Sequence, residues 1–461
     1  MADETPVYLE EYTRLHPADL ADELQRMEVP EARRILQELP HEQSADALAE
    51  LERDVVLKLL EQFPRNQLIP ILNHLDADDA ADLLGELPAP EQHKLLNKME
   101  APQSEAAKEL LSYPEDSAGG IMSDRFIALR AGQSVSTSQK ELRKIEDHQS
   151  DDINYLYVTD TKDKLVGIVS LRDLVFAPPR SKVKDVMDAK VEFVRATDDQ
   201  EEVVRKFEHY HYLGLPVIDE HGTLLGAIRS DDVLTIAQEE ATEDMQKMVG
   251  LSGEERTLTP WGESFRRRLP WLLINLLTAC LAGAVVGVFE GTIAELAIIA
   301  IFLPIIAGQG GNAGMQTTTV IIRDMALGEL SPGDGRKALA KELALGLFNG
   351  LAIGVVVGVL GLLVGQIFAG IEVPGDAPGD TVNKFTQAPW KLGVVVGLAM
   401  MLNQITAALF GVLIPYGLQF LKLDPALASS ILITTVTDVA GFFYLLVLAS
   451  WMLLGHIPGI A

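Results

Sequence analysis

The stretch Ile431-Leu-Ile-Thr-Thr-Val-Thr-Asp438-Val-Ala-Gly441-Phe-Phe-Tyr-Leu-Leu446 is uncharged except for one carboxylate at its middle. Asp438 is the only Asp, Glu, Lys or Arg from Pro425 to Ala461. About 20 apolar residues span the hydrocarbon of a bilayer, so this run predicts a transmembrane helix. A carboxylate at that depth costs roughly 2.5–3.5 kcal/mol on insertion scales, and intramembrane charges mark ion paths and relays. The run therefore points to a chain that moves or binds a cation inside a membrane.

Outward from this run the back half repeats the pattern. Apolar stretches cover about 271–289, 296–322, 343–370, 392–421 and 426–455, which predicts five membrane helices. The last four exceed the usual span, so tilt or breaks are expected. Arg266, Arg267 and Arg268 precede the first stretch, and Arg323, Arg336, Lys337 and Lys341 separate the second from the third. The other side offers only Lys384 and Lys391. Basic residues favour the cytoplasmic side, so the N-terminal half is expected in the cytoplasm and the C-terminus outside a cell membrane. His456 is expected at the outer interface.

Charge divides the chain. Residues 1–260 hold 54 acidic and 28 basic side chains, and residues 261–461 hold 12 and 10. An acidic front half disfavours nucleic acid, whose phosphates attract Lys and Arg, and favours cations. The one cysteine, Cys280, excludes an intrachain disulfide. The opening Met1-Ala-Asp-Glu lacks the basic-then-apolar order of a secretory signal.

The second stretch reads Leu303-Pro-Ile-Ile-Ala-Gly308-Gln-Gly-Gly-Asn312-Ala-Gly-Met-Gln316-Thr-Thr-Thr319. Gln309, Asn312, Gln316, Thr319 and Arg323 recur at helical spacing and share one face. Polar side chains in such a row must face protein or water. Ser430, Thr434 and Asp438 form a matching stripe four residues apart, continued by Gly441. Asn275, Asn349, Asn403 and Gln404 are candidates for interhelical hydrogen bonds. An Asp with amide and hydroxyl neighbours suits a hard, largely hydrated divalent cation, and no Cys, Met or His cluster selects copper or zinc. Five helices are few for a self-contained conduit, so a symmetric dimer around two Asp438 carboxylates is expected.

The front half contains two units. Residues about 14–115 are rich in Leu, Ala, Glu and Asp with helical periodicity, broken at Pro40, Pro64 and Pro88. This predicts a solenoid-like all-α domain of helix pairs. Asp78 and Asp82 share a helix face there, where they repel unless solvated or bridged by a cation. Next, Tyr155–Asp160 and Gly167–Asp173 match Gly214–Asp219 and Gly226–Asp232 at a constant offset of 59 residues. Each copy reads strand, turn, strand, helix, opened by Met122-Ser-Asp and Met187-Asp-Ala. The repeat resembles a tandem cystathionine-β-synthase (CBS) pair, an α/β module that often binds adenine nucleotides. Gln238-Glu-Glu240-Ala-Thr-Glu243-Asp244 then leads toward the membrane as a connecting helix.

Gly308-Gln-Gly-Gly-Asn312-Ala-Gly-Met-Gln316, Asp424-Pro-Ala-Leu and Thr437-Asp438-Val-Ala-Gly441, with this domain order, resemble the MgtE-type magnesium channels and transporters along essentially the whole chain. The resemblance implies a helical N-domain (1–120), a CBS pair (121–240), a connecting "plug" helix (241–265) and a five-helix pore domain (266–461). It implies a homodimer with its pore on the two-fold axis, Mg2+ held at Asp438, and closure by intracellular Mg2+. Asn312, Gln316 and Thr434 are the accompanying pore-lining candidates. By position, it carries over Asp78, Asp82, Asp199, Glu201, Asp232, Glu240, Glu243 and Asp244 as regulatory carboxylates. His211 and Thr235 stand where the family has two more, and Ser430-Ile431 where it has Asn-Pro on the fifth helix. The competing readings are transport of Co2+ or Mn2+, a membrane-anchored CBS sensor, and an intramembrane aspartyl protease. The protease needs a second nearby carboxylate, and the helices offer only Asp438.

Overall fold

The structure, a computed structural model, describes residues 9–144, 154–253, 255–257, 259–330, 333–369, 388–427 and 429–455. Lys384 and His456 lie outside the described residues. The chain divides into two compact units, Met1–Ala237 and Gln238–Ala461.

The first unit begins with short helices, from Leu9–Tyr12 through Ala101–Leu110. Helices two apart in sequence pack together: Pro17–Gln25 on His41–Ala49, Val29–Glu38 on Arg53–Gln62, and Ala77–Gly85 on Ala101–Leu110. That is a superhelical stack. Its core is Leu20, Leu24, Leu36, Leu59, Leu68 and Leu84, among others. Pro40, Pro64 and Pro88 cap the starts of the following helices rather than merely ending the preceding ones. A fixed φ and a missing N–H suit the first positions of a helix, where the N–H has no partner anyway.

Two three-stranded sheets follow. Strands β1 (Ala128–Arg130), β2 (Tyr155–Thr159) and β3 (Leu165–Ser170) form the first, and β4 (Val194–Arg195), β5 (Gly214–Ile218) and β6 (Leu224–Arg229) the second. Each has its first two strands parallel and its last two antiparallel, with a register shift at Val158/Thr159 and at Val217/Ile218. The openers are exchanged between copies. Ser123 bridges Ala227 in β6, and Asp188 bridges Ile168 in β3. Gly226 has no side chain because a Cβ there would lie 2.7 Å from Met122 Sδ. Met122-Ser-Asp thus completes the second sheet, and Met187-Asp the first. The pair is one interlocked module, a relation the sequential reading of the repeat could not contain.

A helix of 19 residues, Ser230–Met248, begins directly after β6. The connecting helix expected over 241–265 is its second half, and the chain leaves helical geometry at Val249.

Among the described residues, five helices in the second unit are long and apolar enough to cross a membrane. Helix one, Trp261–Val288, starts ten residues before the apolar stretch predicted at 271, because its Arg-rich first turns are good helix formers that a hydropathy window ignores. Helix two is broken: a 3-10 segment, Ala297–Phe302, precedes the α-helix Leu303–Ala326, with Pro304 in the first turn. Helices three (Gly335–Ala369), four (Trp390–Phe420) and five (Ser429–Ala449, ending in a π turn at Ser450–Leu454) complete the unit. Helix four is central and packs on helices two, three and five.

Helices three and four meet through glycines. A Cβ at Gly397 would lie 2.8 Å from Gly354 O, and one at Gly358 would lie 3.0 Å from Gly393 O. Without a hydrophobic drive in lipid, close backbone packing is what holds such helices together. Gly393→Val therefore forces the two backbones apart. The expected loss is about 1–3 kcal/mol of stability, read as a lowered unfolding temperature of the detergent-solubilised protein. An unchanged temperature would contradict this packing.

Candidate functional site

Helix two has two faces. Gly310, Gly311, Gly314, Thr317 and Thr318 are buried, while Gln309, Asn312, Gln316, Thr319 and Arg323 are exposed along the opposite side. The buried face is flat because its glycines leave room for helices four and five. A Cβ at Gly310 would lie 2.9 Å from Asn403 Cγ and 3.2 Å from Thr437 Cβ, and one at Gly311 3.4 Å from Thr434 Cγ2. Polar side chains on helix four then take up backbone carbonyls of helix two. Asn403 Nδ2 donates to Ile306 O at 2.9 Å, and Gln404 Nε2 to Gln309 O at 3.4 Å. Gln404 thereby anchors the backbone of the first residue of the exposed stripe.

Asp438 lies half-buried on helix five, which packs against helix two. Among the described residues, Asp438, Asn312 and Gln316 make no hydrogen bond or ion pair. Thr434 folds its hydroxyl back onto its own helix, donating to Ser430 O at 2.8 Å. It can still offer a lone pair, but its hydrogen is committed. These candidates offer oxygen donors, and among the described residues the side chains of Asp438, Asn312 and Gln316 have no ion-pair partner. That donor set suits a hard cation that keeps part of its water.

One membrane carboxylate escaped the sequence reading. Glu342, in the first turns of helix three, has a side chain only 7% exposed. Thr317 Oγ1 donates to its Oε2 at 2.9 Å, and Lys341 Nζ lies 3.1 Å from its Oε1. Thr317 is next in sequence to Gln316, so this joint fixes the back of the polar stripe. A double-mutant cycle of Glu342→Ala and Thr317→Val should give a coupling of about 0.6–1.7 kcal/mol, the range for polar pairs between membrane helices. Strict additivity in thermal stability would remove the joint.

In the first unit the regulatory candidates separate. Carboxylate oxygens of Asp76, Asp78 and Asp79 lie within 4.8 Å of one another at the start of the Ala77–Gly85 helix. That helix packs on the second CBS copy, Ala77 and Ala81 sharing an apolar core with Met122, Val203, Phe207 and Val233. Burial pushes Asp79 up to about 8, reinforced by Asp78 and Asp76. Burial also raises Asp76 to about 6 despite the opposing Arg125. Asp78 is raised by burial against a hydrogen bond from Ser123, and its Oδ1 is buried with no hydrogen-bond partner among the described residues. Asp232 is raised by burial and held back by Arg229. An orphaned carboxylate oxygen among clustered carboxylates fits an oxygen-seeking divalent cation.

Asp82 is exposed one turn beyond Asp78 and adds to the charge felt by Asp79. Asp199 has a local task instead: its Oδ1 accepts from Glu201 N at 2.8 Å and caps the Gln200–Tyr210 helix. Glu201 lies exposed in the first turn of that helix. Neither belongs to the Asp76–Asp79 cluster.

In the second unit, Glu240 is half-buried on the connecting helix. Glu243 pairs with Lys247, whose Nζ also lies 2.9 Å from Asp424 Oδ2. Burial and the neighbouring Asp424 push Asp244 up to about 6, with Lys247 opposing. The Asp424-Pro-Ala-Leu motif thus meets the end of the connecting helix. Gly250, at φ +79°, lies against Trp271 of helix one and Ile431 of helix five.

Comparison with known proteins agrees with this architecture. Residues 303–448 match the MgtE family, described as "Divalent cation transporter", residues 15–116 its intracellular N domain, and residues 118–180 and 183–239 CBS domains. The magnesium transporter MgtE of Thermus thermophilus is 33% identical over 355 residues, 76% of this chain and 74% of that protein. The Bacillus subtilis protein of the same name is 32% identical, covering 73% and 70%. A crystal structure of the cytosolic domain of the Mg2+ channel MgtE with ATP is 34% identical and covers 50% of this chain and 93% of that one, at a TM-score of 0.47. Fold and site together define a multi-pass membrane protein with a helical domain, a CBS pair and a polar face inside its membrane helices. The chain belongs to the MgtE family.

Proposed function

We propose that the chain carries Mg2+ into the cytoplasm and is closed by intracellular Mg2+ bound among the carboxylates of its cytosolic half. The observation that carries this is Asp438, an ionisable group on a membrane helix with no partner among the described residues. Such a group needs a countercharge, and the passing cation supplies it. The names of the relatives as magnesium transporters support Mg2+ as that cation.

The exposed stripe of helix two supports a homodimer. Gln309, Asn312 and Gln316 cannot face lipid, and a two-fold copy gives them a second, equally polar wall. Asp438 then binds the partly hydrated ion, with Asn312, Gln316 and Thr434 as lining. The N-terminal half faces the cytoplasm and the C-terminus the outside, as the arginines flanking helices one and two favour. The helical domain (1–120), CBS pair (121–240), connecting segment (241–265) and pore domain (266–461) divide the work between sensing and conduction. Asp78, Asp82 and Asp232, with Glu240, Glu243 and Asp244 on the connecting helix, are the sensor carboxylates. Asp199 and Glu201 contribute less, given the capping role of Asp199. An adenine nucleotide at the CBS pair belongs to the same reading.

Oxygen donors alone do not separate Mg2+ from Co2+ or Mn2+. Flux into proteoliposomes with each ion as competitor decides this. Mg2+ uptake that falls when Mg2+ is raised on the cytosolic face is expected. Absence of Mg2+ uptake in active preparations ends the proposal.

A further inference from the structure

Two arginines stand among the carboxylates where the helical domain meets the second CBS copy. Arg125 ion-pairs with Asp76, which precedes the Ala77–Gly85 helix. Arg229, at the end of β6, grips Asp232 with two nitrogens, Nε to Oδ2 and Nη2 to Oδ1, both at 3.2 Å. Asp231 lies 3.7 Å from the same guanidinium. Ser123 and Ala227 exchange backbone hydrogen bonds of 2.9 and 3.0 Å, so the segment carrying Arg125 runs beside the strand carrying Arg229. Both guanidiniums act on Asp76, and Arg229 acts on Asp78 as well.

The charge balance shows what they do. Asp76, Asp78, Asp79, Asp82, Asp124, Asp231 and Asp232 act on one another here, seven carboxylates against the two guanidiniums. The carboxylates outnumber the guanidiniums, which leaves negative charge for mobile cations to neutralise. An arginine charge is permanent and weakly hydrated, whereas a divalent ion comes and goes with its concentration.

We propose that Arg125 and Arg229 are built-in counter-cations of this joint, supplying a fixed share of the neutralisation that Mg2+ completes. This rests on the reading of the joint as a Mg2+ sensor. The arginines bias the joint toward closure before any ion binds. They also hold Asp76 and Asp232, so an incoming ion competes with them. Removing them has two opposite effects: the joint loosens without Mg2+, and it then takes Mg2+ more tightly.

Hydrogen exchange of the full-length protein in lipid nanodiscs tests this, with chelator and through a Mg2+ titration. The amides read are those of Ala77–Gly85 and Ser123–Arg125, in wild type, Arg125→Gln, Arg229→Gln and the double variant. In chelator the double variant should exchange about tenfold faster at these amides. Mg2+ should restore its protection at a lower concentration than in wild type. Equal exchange of wild type and double variant in chelator overturns the proposal. Arg229→Lys keeps the charge but loses the two-nitrogen grip, so it should fall between wild type and Arg229→Gln, and the distant helices Pro17–Gln25 and Val29–Glu38 should not change. Loss of protection in those helices with Arg125→Gln still at wild-type exchange also overturns it, since Arg229 then serves only folding. If wild-type exchange ignores Mg2+, the sensor reading falls, while the chelator comparison still judges the arginines.

Discussion

Asp438→Ala lowers Mg2+ flux through the reconstituted protein by at least about 30-fold while leaving the fold as stable as before, or more so. Both halves of this result follow from the isolation of the side chain. Truncating one partner of a buried charge pair costs about 2–5 kcal/mol, and about 1.4 kcal/mol corresponds to a tenfold change. Here the lost partner is the ion, so the loss appears in permeation. The protein loses nothing in exchange, because Asp438 makes no hydrogen bond or ion pair among the described residues. A charge at membrane depth costs roughly 2.5–3.5 kcal/mol, and alanine removes that cost. A structural aspartate behaves in the opposite way: its removal lowers stability, and flux falls only as folded protein is lost. The measurement is therefore paired, a Mg2+-sensitive dye inside proteoliposomes for flux and thermal unfolding in detergent for stability. Normal conduction by Asp438→Ala defeats the pore assignment, and a large drop in melting temperature makes Asp438 a structural residue.

The polar stripe of helix two was legible because its signal is local. Gln309, Asn312, Gln316, Thr319 and Arg323 follow helical spacing within one helix, and all five emerge on one exposed face. The 59-residue repeat was legible for the same reason, since each copy carries its own strands. What the chain hides is pairwise and distant. Asn403 was marked as an interhelical hydrogen bond, but nothing local names Ile306 O as its acceptor. Glu342 stands one residue before the predicted third span, beside Lys341, and reads there as one more loop charge. Only helix three rising from that point, with Thr317 across from it, buries it. Arg125 and Arg229 are ordinary charges in an acidic segment until the opener exchange of the CBS pair brings them to one joint. The family resemblance places a regulatory carboxylate at Asp199, where the structure shows a helix cap, because helix capping and ion binding ask for the same residue type at a helix start.

That contrast yields the second large effect. Asp78→Asn raises the internal Mg2+ concentration needed for half-inhibition by at least about tenfold, the equivalent of about 1.4 kcal/mol, whereas Asp199→Asn shifts it far less. Asparagine keeps the shape of Asp78 and one oxygen donor but removes its charge. The buried Oδ1 of Asp78 has no hydrogen-bond partner among the described residues, so a bound cation is what would satisfy it. Without that charge the joint loses an ionic ligand at the centre of its carboxylate cluster, while Asp76 and Asp79 remain. The neutral amide also relieves a buried charge that other carboxylates oppose, Asp124 among them. Flux at very low internal Mg2+ therefore does not exceed that of wild type, and the change is confined to the response to the ion. Asp199 offers the control because asparagine caps a helix about as well as aspartate, and its Oδ1 is engaged with Glu201 N. Full inhibition curves for the three proteins, recorded with the cytosolic face accessible, separate the outcomes. Equal shifts in both variants mean that the acidic front half acts as a diffuse field. A far larger shift in Asp78→Asn means that it acts through a built site at the start of the Ala77–Gly85 helix.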